Sequence, residues 1–347
     1  MNLFKGFYND IGIDLGTANS LVYVKGKGIV IDEPSLAAVN NKTNQVLAIG
    51  AEAKKMVGRT PSHITVVRPL INGVISDFEM TQEILRYFFK TVSKNHFFGY
   101  YRAVVGAPTN LTEVEKKSVE DAVLSAGAAR AFIIDEPVAA ALGARLPIDE
   151  PIANMIVDIG GGTTDIAIIS MGGTVTARSL KIAGDKLNED IIRFIKEEFR
   201  MAIGEPTAED LKITIGSALP IEERLEMPIR GRDMTTGLPK EVLVKGTQVR
   251  AAISKSLRQI VEAVKEAIEV APPELVGDVL RQGIYLCGGG SLLKGMSQLI
   301  EKEISVKVQV VDDPLTCVVR GAGIAAENME KYSSVFATAL KPMEVNF

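Results

Sequence analysis

Two aspartates in separate halves of the chain each end an apolar run and open a turn of glycine and small hydroxyl residues. The first reads Ile11-Gly-Ile-Asp14-Leu-Gly16-Thr17-Ala18-Asn19; the second reads Met155-Ile-Val-Asp158-Ile-Gly160-Gly161-Gly162-Thr163-Thr-Asp165. Glycine lets backbone N–H groups come close to an anion, and hydroxyls add donors, so either turn suits a phosphate. A carboxylate at the end of a buried strand is costly unless it meets a cation or donors. A magnesium ion, held directly or through its waters by Asp14 and Asp158, would compensate it. One such turn alone also reads as an ordinary glycine-rich hairpin. Two, with an Asp at the same offset, point to a duplicated fold.

A third cluster, Gly288-Gly289-Gly290-Ser291-Leu292, follows the apolar run Ile284-Tyr-Leu-Cys287 and is expected to lead into a helix opened by Ser291. A helix N-terminus after glycines offers free N–H groups to a nucleotide. The cluster lacks both GxGxxG and the Lys-Ser/Thr ending of a P-loop, and a tight strand-to-helix turn is its plain alternative. Asp135-Glu136-Pro137 stands between an apolar run and the alanine-rich segment 138–145. A carboxylate there could orient or deprotonate a water attacking a terminal phosphate. Capping of a helix with Pro in its first turn would use the same residues.

These residues need strands to carry them. Apolar, β-branched runs predict strands at Ile11–Leu15, Leu21–Lys25, Ala103–Gly106, Ala131–Ile134, Asn154–Ile159, Asp165–Ser170, Gly283–Leu286 and Val306–Val311. Several are apolar throughout, as buried central strands are. Helical patterns alternate with them, which indicates α/β layers. Ser76 with Glu79, Thr112 with Glu115 and Thr207 with Asp210 have the spacing of capping boxes, and Gly127 ends the second of these helices. A long amphipathic helix is expected from Thr247 to about Val270, stopped by Pro272-Pro273. Residues 33–66 and 183–245 depart from the rhythm and read as inserted subdomains. The second holds a strand pair at Leu225–Ile229 and Glu241–Lys245.

Composition excludes several classes. The 347 residues are 46% hydrophobic and 24% charged, an ordinary globular balance with room for more than one compact unit. Lys+Arg 39 against Asp+Glu 43 leaves a net charge of −4 with no long basic run, so no nucleic-acid partner is expected. Two cysteines, Cys287 and Cys317, form neither a disulfide scaffold nor a zinc motif and fit a reducing compartment. No secretory signal and no uninterrupted apolar stretch long enough to span a bilayer is apparent. Leu3, Phe4 and Phe7 near the N-terminus, and Phe97 and Phe98 within His96-Phe-Phe-Gly-Tyr-Tyr101, would be costly if exposed to water and would serve as anchors at a bilayer interface.

Together, the Asp14 turn, the Asp158 turn, Asp135-Glu136-Pro137-Val-Ala-Ala-Ala and Leu286-Cys-Gly-Gly-Gly-Ser resemble the ATPase superfamily of actin, heat-shock chaperones and sugar kinases. Within it, Gly12-Ile-Asp-Leu-Gly-Thr-Ala-Asn19, Arg68-Pro69 followed by Asn72-Gly73-Val-Ile, Ala183-Gly-Asp185, Ala202-Ile-Gly-Glu205 and Pro272-Pro-Glu-Leu275 resemble the MreB family of bacterial actins. The resemblance implies an actin-like ATPase fold, two ribonuclease-H-like domains each with a small insertion. Residues 1–32, 67–147 and 320–347 would form subdomain IA, 33–66 IB, 148–182 and 246–319 IIA, and 183–245 IIB. It implies ATP and Mg2+ in the cleft, with Asp14 and Asp158 holding the metal and its waters. Gly16, Thr17, Ala18 and Asn19 would form the first phosphate turn, and Gly160, Gly161, Gly162 and Thr163 the second, with Gly184 nearby. Glu136 would position the attacking water. Glu209, Asp210, Leu211 and Lys212 would contact the adenosine, and Gly288, Gly289, Gly290, Ser291 and Leu292 would close over it from the other side. Head-to-tail filaments of the chain itself, contact with the inner leaflet of the cell membrane, slow ATP hydrolysis, and cell-wall synthesis machinery with a membrane adaptor as partners are further implications. A chaperone would need a substrate-binding domain beyond Phe347. A small-molecule kinase of the same superfamily is the competing expectation.

Overall fold

The computed structural model describes residues 8–93, 100–221 and 225–336. Two five-stranded sheets dominate it. The first has the order Ala128–Asp135, Tyr100–Ala107, Tyr8–Leu15, Asn19–Val24, Gly28–Pro34. The second has the order Val308–Val310, Ile284–Cys287, Asn154–Ile159, Thr164–Ser170, Gly173–Leu180. In each, three strands run parallel and the last two antiparallel. The registers also coincide: Leu15 pairs with Ser20 and Asp14 with Leu21, while Ile159 pairs with Thr164 and Asp158 with Asp165. The sequence repeat is thus a structural repeat, down to the length of its turn.

The central strands are apolar because both faces are covered. All six residues of Asn154–Ile159 are buried. The helix Gly246–Glu269 presents Val249, Ile253, Leu257, Ile260, Val261 and Val264 to the second sheet, sharing a core with Met155 and Leu286. Each fully buried aliphatic side chain of this kind contributes about 1.5–3 kcal/mol. Between the sheets lie two helices, Glu136–Gly143 and Cys317–Glu327, whose core takes Val104 and Ile134 from one sheet and Ile156 and Ala167 from the other. A Cβ on Gly321 would fall 1.7 Å from the Ala139 carbonyl oxygen, and one on Gly143 1.9 Å from that of Cys317. Only glycine permits this backbone-to-backbone seat.

The helix starts follow local chemistry. At Thr112 the capping box forms as expected, with Glu115 N–H donating to Oγ1 at 3.2 Å and Thr112 N–H donating to the Glu115 carboxylate at 2.7 Å. The other two starts shift. Met80 N–H donates to Asp77 Oδ1 at 3.0 Å, so Asp77 serves the helix Phe78–Ser93, while Ser76 Oγ turns back to the Pro69 carbonyl. The helix Glu205–Ile215 begins before Thr207, with Pro206 in its first turn. Ser291 likewise opens no long helix: it sits in the short turn Gly289–Leu292, and the helix that follows is Met296–Ile304.

Residues 33–66 hold the sheet Gln45–Ile49, Ala37–Asn40, Ile64–Val67 and the short helix Ala51–Lys54. Residues 183–245 are half helical, with Gly184–Phe199 and Glu205–Ile215, before the expected strand pair appears as Glu226–Asp233 and Pro239–Lys245.

Candidate functional site

The turn ends of both central hairpins face one another across a cavity of about 430 Å3. A Cβ on Gly161 would lie 2.7 Å from Ala18 Cβ, and one on Gly162 2.6 Å from Thr17 Oγ1. The glycines of the second turn are therefore demanded by the first turn opposite. Thr17 Oγ1 in turn accepts a hydrogen bond from Gly73 N–H at 3.0 Å, at the tip of a two-residue hairpin whose Asn72 has φ 50°. Ser35 supports the first turn from beneath: its N–H donates to Ala18 O at 3.0 Å and its hydroxyl to Gly16 O at 2.6 Å. The second turn rests on backbone alone, Gly184 N–H on Gly160 O at 3.2 Å and Asp185 N–H on Gly161 O at 2.8 Å.

Asp14, Asp158 and Glu136 line this cavity. Burial, then the charge of Asp32, pushes Asp14 up to about 7. Burial, then Asp14 and Asp165, holds Asp158 well above the usual carboxylate range. Glu136 is raised in the same direction by burial and then by Asp165, Asp14 and Asp158. Asp165, 1% exposed, is pushed up to about 6 by burial against hydroxyl donors from Ser179 and Thr163, and its Oδ1 has no hydrogen-bond partner. Four carboxylates, three of them buried and Asp14 half-buried, thus crowd one another, and no lysine or arginine among the described residues pairs with them. Such a cluster fits a divalent cation. Asp14 and Asp158, one from each hairpin, are the carboxylates placed to hold such an ion or its waters. Asp135 makes no side-chain capping bond at the start of its helix, and Glu136, the first residue of that helix, lines the cavity.

The structure brings Gly16, Thr17, Ala18, Asn19, Gly160, Gly161, Gly162, Thr163, Gly184, Glu209, Lys212, Gly288, Gly289, Gly290 and Leu292 to the same cavity. Lys212 Nζ reaches Glu209 Oε2 at 2.7 Å and Gly184 O at 3.1 Å, and Asn188 holds Glu209 from the other side at 2.6 Å. Three expected residues are not brought there. Leu211 points into the core, Asp210 faces solvent, and buried Ser291 donates its hydroxyl to Gly288 O at 2.7 Å. Helical spacing explains the first two: 209, 212 and 213 share a face that 210 and 211 do not. Sequence reasoning missed Asp32, Ile213, Lys294 and Leu315, which are among the other residues of the lining. Ile213 was readable from that helical spacing; Asp32, Lys294 and Leu315 arrive from loops and edges with no local signal. Leu3, Phe4, Phe7, Phe97 and Phe98 lie outside the described residues. Among the described residues no helix is long and apolar enough to cross a membrane.

Comparison with known proteins agrees with this geometry. The structure superposes on MreB5 of Spiroplasma citri bound to ADP with a TM-score of 0.89 and 40% identity, covering 93% of this chain and 97% of that one. The same protein bound to AMPPNP gives a TM-score of 0.88. A MamK double helical filament, 23% identical, shares the fold at a TM-score of 0.78, with 92% of this chain and 99% of that one covered. The cell shape-determining protein Mbl of Bacillus subtilis is 46% identical over 94% of this chain and 98% of its own length. The cell shape-determining protein MreB of Escherichia coli is 43% identical over 95% and 96%. The pattern of the MreB/Mbl protein family matches residues 8–334, and on fold, repeat and sequence together the chain belongs to the MreB/Mbl family of actin-like proteins.

Proposed function

We propose that this chain binds ATP with Mg2+ in the cleft, assembles head to tail into membrane-associated filaments that organise cell-wall synthesis and rod shape, and hydrolyses ATP slowly. The convergence of the two acidic glycine turns on one cavity carries the reading. Backbone N–H groups of Gly16–Asn19 and Gly160–Thr163 would cradle the phosphates. Asp14 and Asp158 would hold Mg2+ there, whose charge would offset that of the phosphates. Glu136, buried beside Asp158, would orient the attacking water and take its proton, a role its raised affinity for protons favours. Glu209 and Lys212 on one wall, with Leu292 on the other, would flank the nucleoside.

Residues 33–66 and 183–245 would act as the two subdomains that close the cleft. Loss of γ-phosphate contacts after hydrolysis would bias the halves apart and weaken the filament. Association of identical subunits front to back that does not close into a ring gives an open filament. Leu3, Phe4, Phe7, Phe97 and Phe98 would anchor it to the inner leaflet, each weakly, with the filament multiplying them. Cell-wall synthesis proteins and a membrane adaptor are the partners this role calls for. The family match favours this reading over a small-molecule kinase.

Sedimentation with and without MgATP, run beside a coupled assay with sugars and carboxylic acids as acceptors, tests it. Nucleotide-dependent pelleting with no phosphorylated acceptor is expected. Acceptor phosphorylation without assembly would overturn the reading. Replacing Phe97 and Phe98 by Ser is expected to reduce co-sedimentation with liposomes, and unchanged binding would remove those residues as anchors.

A further inference from the structure

An ion pair crosses the mouth of the cleft: Arg68 Nη2, just after strand Ile64–Val67, meets Oε1 of Glu205 at the start of the helix Glu205–Ile215. Each partner ends a chain of contacts that begins at a phosphate turn. On one side, the Arg68 carbonyl accepts from Ser76 Oγ at 3.3 Å at the base of the hairpin Leu70–Ile71/Val74–Ile75. The tip of that hairpin donates Gly73 N–H to Thr17 Oγ1 at 3.0 Å. On the other side, Glu205, Glu209 and Lys212 stand at i, i+4 and i+7 along one helix face. Lys212 Nζ holds Gly184 O at 3.1 Å, and Gly184 N–H donates to Gly160 O at 3.2 Å.

The surrounding charges are complementary. Asp185, which lines the cavity and is raised by burial, is drawn back down by Arg68 and Lys212 against Glu205 and Glu209. Lys54, at the end of the helix Ala51–Lys54, faces Glu209 favourably. Arg68 and Glu205 stand outside the residues that line the cavity. Their side chains remain 31% and 38% exposed, and a pair so exposed contributes little to folding.

We propose that Arg68 and Glu205 form an electrostatic clasp that holds the cleft shut over bound nucleotide and sets the rate of its release. The proposal rests on the nucleotide reading above. Both are positioning residues: Arg68 acts through the Asn72–Gly73 tip on the first turn, and Glu205 through Lys212 on the second. Nucleotide bound against Glu209 and Lys212 would fix the helix that presents Glu205, and so would favour the clasp.

The test uses the full chain and a fluorescent ADP analogue, with equilibrium binding and stopped-flow release measured side by side. At low ionic strength, Arg68→Glu and Glu205→Arg are each expected to speed release by about tenfold, because each places like charges across the mouth. The double exchange, Arg68→Glu with Glu205→Arg, is expected to return release to within about threefold of the parent, a recovery that mere structural damage would not give. Raising salt to about 0.5 M is expected to bring the parent toward the single variants by screening. If either charge reversal fails to fold, Arg68→Gln and Glu205→Gln make the same comparison with a smaller acceleration. Parent-like release in both single variants, or a double exchange as fast as the singles, would overturn the clasp. Failure of the parent to bind the analogue at all would instead overturn the nucleotide reading.

Discussion

The two hairpins share a topology and a register, yet they are held by different means. The first turn is propped from outside by the Ser35 hydroxyl and N–H and by the Gly73 N–H on Thr17. The second is nearly bare backbone, with Gly160 and Gly161 accepting from the start of the helix Gly184–Phe199. The register position that carries Leu21 in the first copy carries Asp165 in the second, and Asp165 is the strongest neighbouring charge acting on Glu136. The two copies therefore keep equivalent glycine turns, and they differ in that the first is propped by side chains from outside while the second adds a further acid, Asp165, to the site.

The sharpest way to break this contrast is to remove the carboxylate at its centre. Glu136→Ala is expected to keep ATP binding and to slow phosphate release by roughly 100-fold or more, the scale of a lost general base. Single-turnover phosphate release beside equilibrium binding checks it, and parent-like hydrolysis would take Glu136 out of that role. A middling effect should come from pH. Asp14 and Asp165 titrate near 7 and 6 when folded, against 3.8 ordinarily. A carboxyl raised by folding stabilises the fold while protonated, fully below about pH 4, and that contribution is lost as pH rises through 6 and 7. Thermal melts without ligand are therefore expected to lose stability from this cluster across that window. Asp165→Asn should flatten the part between about pH 4 and 6, and MgATP should raise the Tm more at pH 8 than at pH 5. An unchanged profile in Asp165→Asn would show that the second copy's extra acid carries no such strain. The smallest expected effect sharpens the other half of the contrast. Ser35→Ala removes the hydroxyl that bonds Gly16 O and Ser20 Oγ beneath the first turn and should weaken nucleotide binding by about three- to tenfold, in line with a loss of about 1 kcal/mol. Titration calorimetry measures it, and unaltered affinity would mean the first turn needs no prop.

The repeat was readable because its signal is local: an apolar strand, an Asp and a glycine turn lie within a dozen residues, and both copies obey the same spacing. The central strands were equally plain, since burial on both faces demands uninterrupted apolar runs. The edge strands Gly28–Pro34 and Gly173–Leu180 were not, because most of their positions reach solvent and carry no alternating pattern. The two helix starts that moved did so for reasons decided in three dimensions: Ser76 hydrogen-bonds back across its hairpin, which leaves the cap to Asp77. Within the site, residues carried by the turns were legible, whereas Asp32, Lys294 and Leu315 come from segments whose proximity only the fold creates. Treating 209–212 as a contiguous block also obscured the helical face on which only Glu209 and Lys212 turn inward.

The glycine seat between the helices Glu136–Gly143 and Cys317–Glu327 bears on how this molecule moves. Interlocked side chains must unpack before two bodies can turn, but smooth main-chain surfaces in contact can roll by small angles. Gly321 on Ala139 and Cys317 on Gly143 supply such a fulcrum, and the first residue of one of its two helices is Glu136. A fraction of an ångström gained or lost beside that carboxylate would be levered outward along the sheets, growing with distance until it changes the width of the cavity's rim.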